Sequence, residues 1–175
     1  MPIGSGNAQP QQIMLPPIAL EPARECTSPE VRDGLAYWRL KAAGREMPLH
    51  ADIRPEEIPR LLPYVTLFDL RQNNGSLELF PRIAGAKFEE VFGAIHNKPL
   101  ETVLPPEIVE RWQGAARTLF EAREPLRAVG EVLHDQKTFI RFELVIAPLS
   151  RTGEKLDMML LVCSFSMKGD VHPLA

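Results

Sequence analysis

Residues 76–93 read SLELFPRIAGAKFEEVFG, and the fold turns on this stretch. Leu77, Leu79 and Ile83 recur at even spacing, the period of a strand with one buried face. Glu78, Phe80 and Arg82 take the other face. Pro81 has no N–H to give a neighbouring strand, so an edge position or a bulge is predicted. Gly85 allows a turn that a Cβ would obstruct. Phe88, Val91 and Phe92 then fall at i, i+3 and i+4, a short amphipathic helix, and Gly93 stands where a left-handed cap ends one. A strand thus passes abruptly into a helix that carries aromatics inward, closing one side of a small cavity.

On the N-terminal side, Tyr64 to Arg71 is β-branched and aromatic, a second strand. Asn74-Gly75 supplies the positive φ of a tight hairpin between the two. Before it, REMPLHADIRPEEIPRLLP is cut by four prolines into loop and short helical turns, with Ile58, Leu61 and Leu62 turned to the core. Ser28-Pro29-Glu30 opens a first helix, with Ser28 suited to the N-cap. Its stripe is Val31, Leu35, Trp38 and Ala42, and Gly44 ends it. On the C-terminal side, Pro105-Pro106 opens the longest helix, running to about Arg123. Ile108, Val109, Trp112, Ala115, Ala116, Leu119 and Phe120 share one face of it. Three strands follow, over 126–134, 139–149 and 155–167. The last is apolar on both faces, so both are expected to be covered, one by the long helix and the other by the first helix. Whether that first helix packs on its own sheet or on a second subunit is open at this point. Val31, Leu35 and Trp38 are the candidate dimer contacts.

The 175 residues suit one domain with a tail. Expected boundaries are a disordered or loosely docked tail over 1–27, rich in proline and carrying the apolar patch IMLPPIAL, one domain over 28–168, and a short tail over 169–175. Net charge is −3, with no basic excess for nucleic acid. Cys26 and Cys163 form no CxxC, and no His/Cys spacing suits a metal, so reduced thiols in a cytoplasmic protein are expected. Neither a basic n-region nor a run long enough to span a bilayer is seen, so no secretory signal or membrane span is expected.

The order of elements is helix, hairpin, short helices, long helix, three antiparallel strands. It resembles a PAS domain. AYWRLKAAGREMPLHADIRPEEIPRLLPYVTLFDL and LFPRIAGAKFEEVFG resemble a bacterial PAS subfamily first catalogued as a domain of unknown function. Tyr37 and Trp38, then Gly44, Arg45 and Pro48, match its Tyr-Trp pair and Gly-Arg-x-x-Pro turn. Asp52, Ile53 and Pro55 match its acidic-Ile-x-Pro element, Leu62 and Pro63 its Leu-Pro, and Arg82 and Gly85 its Arg-x-x-Gly. The similarity covers about residues 30–167. The resemblance implies an α+β, PAS-like fold: a five-stranded antiparallel sheet with flanking short helices, one long helix and an N-terminal helix. It also implies a stand-alone regulatory or sensory module, often a homodimer, that binds a small molecule between sheet and helices and signals by contact with a protein partner.

Arg82 is the sharpest polar candidate for a ligand contact, because a guanidinium can hold a carboxylate or phosphate. Its alternative is a structural pairing with a carboxylate such as Asp69. Phe80, Phe88, Phe92, Trp112 and Phe142 are the candidate apolar lining. If Phe80, Phe88, Phe92 and Phe142 instead fill the cavity, the protein is a pure interaction and dimerisation module. Haem lacks a histidine on the long helix, with His96 and His134 read as ordinary polar residues. A flavin photosensor would need an Asn-Cys-Arg context that is missing, and Cys163 reads as a core residue. The cofactor is therefore unknown, with haem and flavin disfavoured. Glu56-Glu57 and Glu89-Glu90 are adjacent pairs that share no helix face and read as solvated charges. No catalytic motif occurs, and no catalytic residue is assigned. An isomerase-like enzyme would need a carboxylate in the cup, and Glu131 and Glu143 sit on the wrong alternation for it.

Overall fold

The computed structural model describes residues 18–134 and 138–167. It is an α+β fold around a six-stranded sheet in which every pairing is antiparallel. The strands are β1 (Glu21–Pro22), β2 (Val65–Asn73), β3 (Ser76–Ile83), β4 (Leu126–His134), β5 (Thr138–Leu149) and β6 (Met158–Met167), in spatial order β1-β4-β5-β6-β2-β3. The helices are α1 (Pro29–Ala42), α2 (Ala86–Phe92) and α3 (Pro106–Ala122). Short 3-10 turns fall at His50–Asp52, Pro55–Glu57, Leu62–Tyr64 and Leu100–Thr102.

The five expected strands are present, and β1 is the addition. It comes from the proline-rich segment, where Pro22 can sit beside β4 at an edge because no further strand needs its N–H. Ala23 follows, buried, with its N–H donated to the Pro125 carbonyl at 2.9 Å. Residues 18–27 were expected in the tail; Ile18 and Leu20 pack on the core. The rest of that tail, with Ile13 to Pro17 of the apolar patch, lies outside the described residues, as does 168–175.

β6 lies between β5 and β2, and its two faces belong to two cores. Met159, Leu161 and Cys163 join Phe68, Leu79, Phe88, Trp112 and Leu119 under α2 and α3. Met158, Leu160 and Val162 join Val31, Leu35, Trp38, Ile53 and Ile58 under α1. The first helix therefore covers its own sheet. Val31, Leu35 and Trp38, the candidate dimer contacts, are buried within one chain. Gly34 makes the approach close: a Cβ there would lie 2.7 Å from a Val162 methyl. Trp38 donates its indole N–H to the Pro148 carbonyl at 2.9 Å, so its polar edge is satisfied in the core.

Pro81 gives both anticipated features. β3 is an edge strand, and the register slips between Leu67 and Phe68, which face Ile83 and Pro81. Arg82 is the extra residue of this bulge. The slip corrects the expected alternation: Leu77 and Leu79 join the α2–α3 core, whereas Ile83 packs against the α1 core. Asn74 and Gly75, at φ 50° and 77°, make the two-residue turn of the hairpin.

Candidate functional site

Gly85 fixes where the site begins. It holds the N-cap position of α2, where a Cβ would lie 2.7 Å from the carbonyl oxygens of both Pro63 and Val65. Its N–H donates to the buried Thr66 hydroxyl at 3.1 Å. The strand-to-helix turn is thus pressed onto the start of β2, and only glycine fits. Beyond α2, Glu89 accepts the Ile95 N–H at 2.8 Å and holds the return loop. That role departs from the solvated charge expected of it.

α2 carries Phe88 into the core, edge-on to Phe68 with ring centroids 6.3 Å apart. Phe88 lies 4.5 Å from Phe92 and 5.5 Å from Trp112, centroid to centroid. Past this aromatic wall a cleft opens between α3 and the inner face of the sheet. It measures about 370 Å3 counting the part open to solvent. α3 contributes Ile108, Arg111 and Trp112, and α2 contributes Phe92. Phe142 and Leu144 of β5 and Cys163 and Phe165 of β6 form the floor, with Ile18 beside them. The lining is apolar except for Arg111. Ligand sites have this make-up, with few polar groups in an apolar wall.

A comparison with protein-family models matches the PAS domain over residues 26–162. The chain belongs to the PAS domain family. A search of curated proteins finds no match. PAS membership supports a sensory or regulatory module in general terms, of a class that commonly mediates protein interaction. No helix among the described residues is long and apolar enough to cross a membrane. Among the same residues no three metal-ligating side chains gather.

Three of the candidate lining residues, Phe92, Trp112 and Phe142, meet in the cleft of this PAS domain. Phe88 lies behind them, buried in the wall. Phe80 is elsewhere: it faces the other side of β3, under the Arg71 guanidinium at 4.2 Å from the ring centroid. Arg82 is elsewhere too. Its Nε donates to Asp69 Oδ2 at 2.5 Å, the structural pairing named as its alternative. Asp69 is 2% exposed and also meets Arg71 at 3.3 Å and Arg151. Arg151 contacts Oδ1 as an ion pair without the angle of a hydrogen bond. Burial alone would raise the Asp69 pKa, but Arg151 and Arg82 outweigh it and hold the carboxyl below its ordinary value.

The polar group that the sequence did not flag is Arg111. Its signal was present: it sits one turn beyond Ile108 and next to Trp112, at the border of the apolar stripe of α3. Cys163 also reaches the cleft, but burial pushes its thiol well above the ordinary value, so it stays an unreactive core group. His96 is exposed, with Nε2 3.0 Å from the Arg82 carbonyl, and the His134 side chain lies outside the described residues.

Glu143 is buried, but not in the cup. It lies on β5 between Phe142 and Leu144 and faces α1. Its carboxylate accepts the Thr27 N–H at 2.9 Å and the Ser28 N–H at 2.7 Å. Arg127 donates to it through Nε at 2.9 Å and Nη2 at 2.6 Å. Ser28 makes no side-chain cap, so Glu143 supplies from across the sheet the anion expected at the start of α1. Burial would raise the Glu143 pKa; the two N–H groups and Arg127 prevail and lower it.

Proposed function

We propose that this PAS domain is a cytoplasmic sensory module that takes a small molecule into the cleft between α3 and the sheet and signals through protein contact. The observation that carries the reading is the cleft itself, apolar, open on one side and bearing one polar group in its wall. β5 offers the route for the signal. Phe142 and Leu144 line the cleft, while Glu143 between them holds the start of α1 on the opposite face. A ligand that favours one packing of β5 shifts how firmly α1 is held, provided it binds the two packings unequally. The relay passes to a protein partner and to a second copy in a homodimer. With Val31, Leu35 and Trp38 occupied in the chain's own core, the outer side of α1, where Leu40 is 71% exposed, is the side left for a second copy.

A second reading, an interaction module with a self-filled cavity, draws on the aromatic wall, where Phe88, Phe92 and Trp112 already occupy much of the cup. The enzyme reading draws no support from the described residues: none of their carboxylates lines the cleft, and both Glu143 oxygens have partners on the other face.

The test is native mass spectrometry and a thermal-shift screen of metabolite classes on the purified chain, repeated with Ile108→Trp to fill the cleft. A ligand that raises Tm in the native chain and not in the variant is expected. No shift with any class, or an equal shift in the variant, removes the sensory reading and leaves the self-filled module.

A further inference from the structure

Charged groups buried elsewhere in this domain are answered. Glu143 has Arg127 and two backbone N–H groups, and Asp69 has three guanidiniums at its rim. Arg111, half-buried on α3, has no such answer among the described residues. It stands in the cleft wall between Ile108 and Trp112, opposite Phe142 and Leu144. Its Nε is buried and meets no hydrogen-bond acceptor among the described residues. Burial lowers the guanidinium pKa, and no carboxylate among the described residues acts against that burial. A buried N–H of a charged group without an acceptor costs stability, so its place in an apolar wall asks for a reason. A residue that costs stability at the one polar point of a cleft is explained by what enters the cleft.

We propose, building on the reading of the cleft as a ligand site, that Arg111 anchors the carboxylate of a small amphipathic monoanion whose apolar body lies against Trp112 and Phe142. The planar guanidinium matches a carboxylate with two parallel N–H donors. One positive charge balances one negative charge. A phosphate monoester would bring a second charge, and among the described residues the cleft lining holds no second cation to meet it. The apolar floor provides the rest of the affinity by burial.

Isothermal titration of the full chain with octanoate, octanol, octylammonium and octyl phosphate tests this, with Arg111→Gln and Arg111→Lys beside the native protein. Octanoate should bind roughly tenfold or more tighter than octanol, the value of a hydrogen bond to a charged group. Octylammonium should not bind. Arg111→Gln should bring octanoate down to the level of octanol, and Arg111→Lys should keep part of the difference. Without ligand, Arg111→Met should melt no lower than the native chain. Equal binding of octanoate and octanol, or octanoate binding unchanged in Arg111→Gln, overturns the anchor and leaves the cleft as a site for neutral molecules. Octyl phosphate binding tighter than octanoate overturns the monoanion. A marked fall in Tm for Arg111→Met makes the arginine a structural group. Failure of all four probes removes the anchor, and the screen of metabolite classes then decides the ligand site by itself.

Discussion

Asp69 stays charged while buried because three guanidiniums reach it from the rim, and this redundancy shapes what mutation does. Arg71, Arg82 and Arg151 are each 41–46% exposed, so each alone is a surface partner. Arg82→Ala should therefore cost no more than about 1 kcal/mol in urea denaturation, since the other two close on the carboxylate. Arg82→Ala with Arg151→Ala should cost more than the two single changes added, about 3 kcal/mol, because a buried carboxylate is then left nearly alone. Additive losses would show that the three arginines do not share one task. Acid should act on the same groups. Asp69 and Glu143 have folded pKa values below their unfolded ones, so their stabilisation is complete above the ordinary carboxylate range, about pH 4, and is lost as pH falls through the lowered values. Denaturation midpoints measured against pH should fall there, and Glu143→Gln should flatten the fall. The pairing of Arg82 with Asp69 was legible as one of two readings, because both lie on a predicted hairpin. The contribution of Arg151 was not, since no pattern links a loop residue to a strand so distant in sequence.

At the scale of elements, the decisive packing is α1 on β5 and β6. Gly34→Ala gains helix propensity of about 1 kcal/mol but drives a methyl into Val162 at 2.7 Å. Overpacking of this kind costs about 1–3 kcal/mol, so the net effect in thermal denaturation should be destabilising or near zero. A clear gain in Tm would mean that α1 is held less closely than described. Glu143→Gln should cost about 3 kcal/mol and release the amides of residues 27–31 to hydrogen exchange before those of β6, because it removes the anion that holds the start of α1. Much of this was readable. The double apolar face of β6 called for two covers, and α1 was named as the second. The helix ends at Pro106 and Arg123, the Asn74-Gly75 turn and the edge position of Pro81 followed from local chemistry. What escaped was non-local. The bulge that turns Ile83 to the other face depends on the register with β2, and the cap of α1 comes from a glutamate on β5 rather than from Ser28. β1 escaped because two residues carry no period.

For the whole molecule, the sheet separates two cores, and the cleft belongs to one while α1 belongs to the other. That division makes the account testable with two natural probes. The chain has two tryptophans: Trp112 in the cleft wall and Trp38 on α1, bonded to Pro148 across the other core. The general shape of the cup was legible from the order of elements, and Phe92, Trp112 and Phe142 were named for it. Arg82, named as the polar candidate, pairs with Asp69 away from the cleft, while Arg111, which lines it, hides at the border of a helix stripe. The most direct measurement is the pair of indole N–H signals in a nitrogen-15 correlation spectrum during titration with octanoate. The account predicts that the Trp112 signal moves with saturation and that the Trp38 signal follows it at the same occupancy. Saturable binding that leaves the Trp112 signal in place would contradict it.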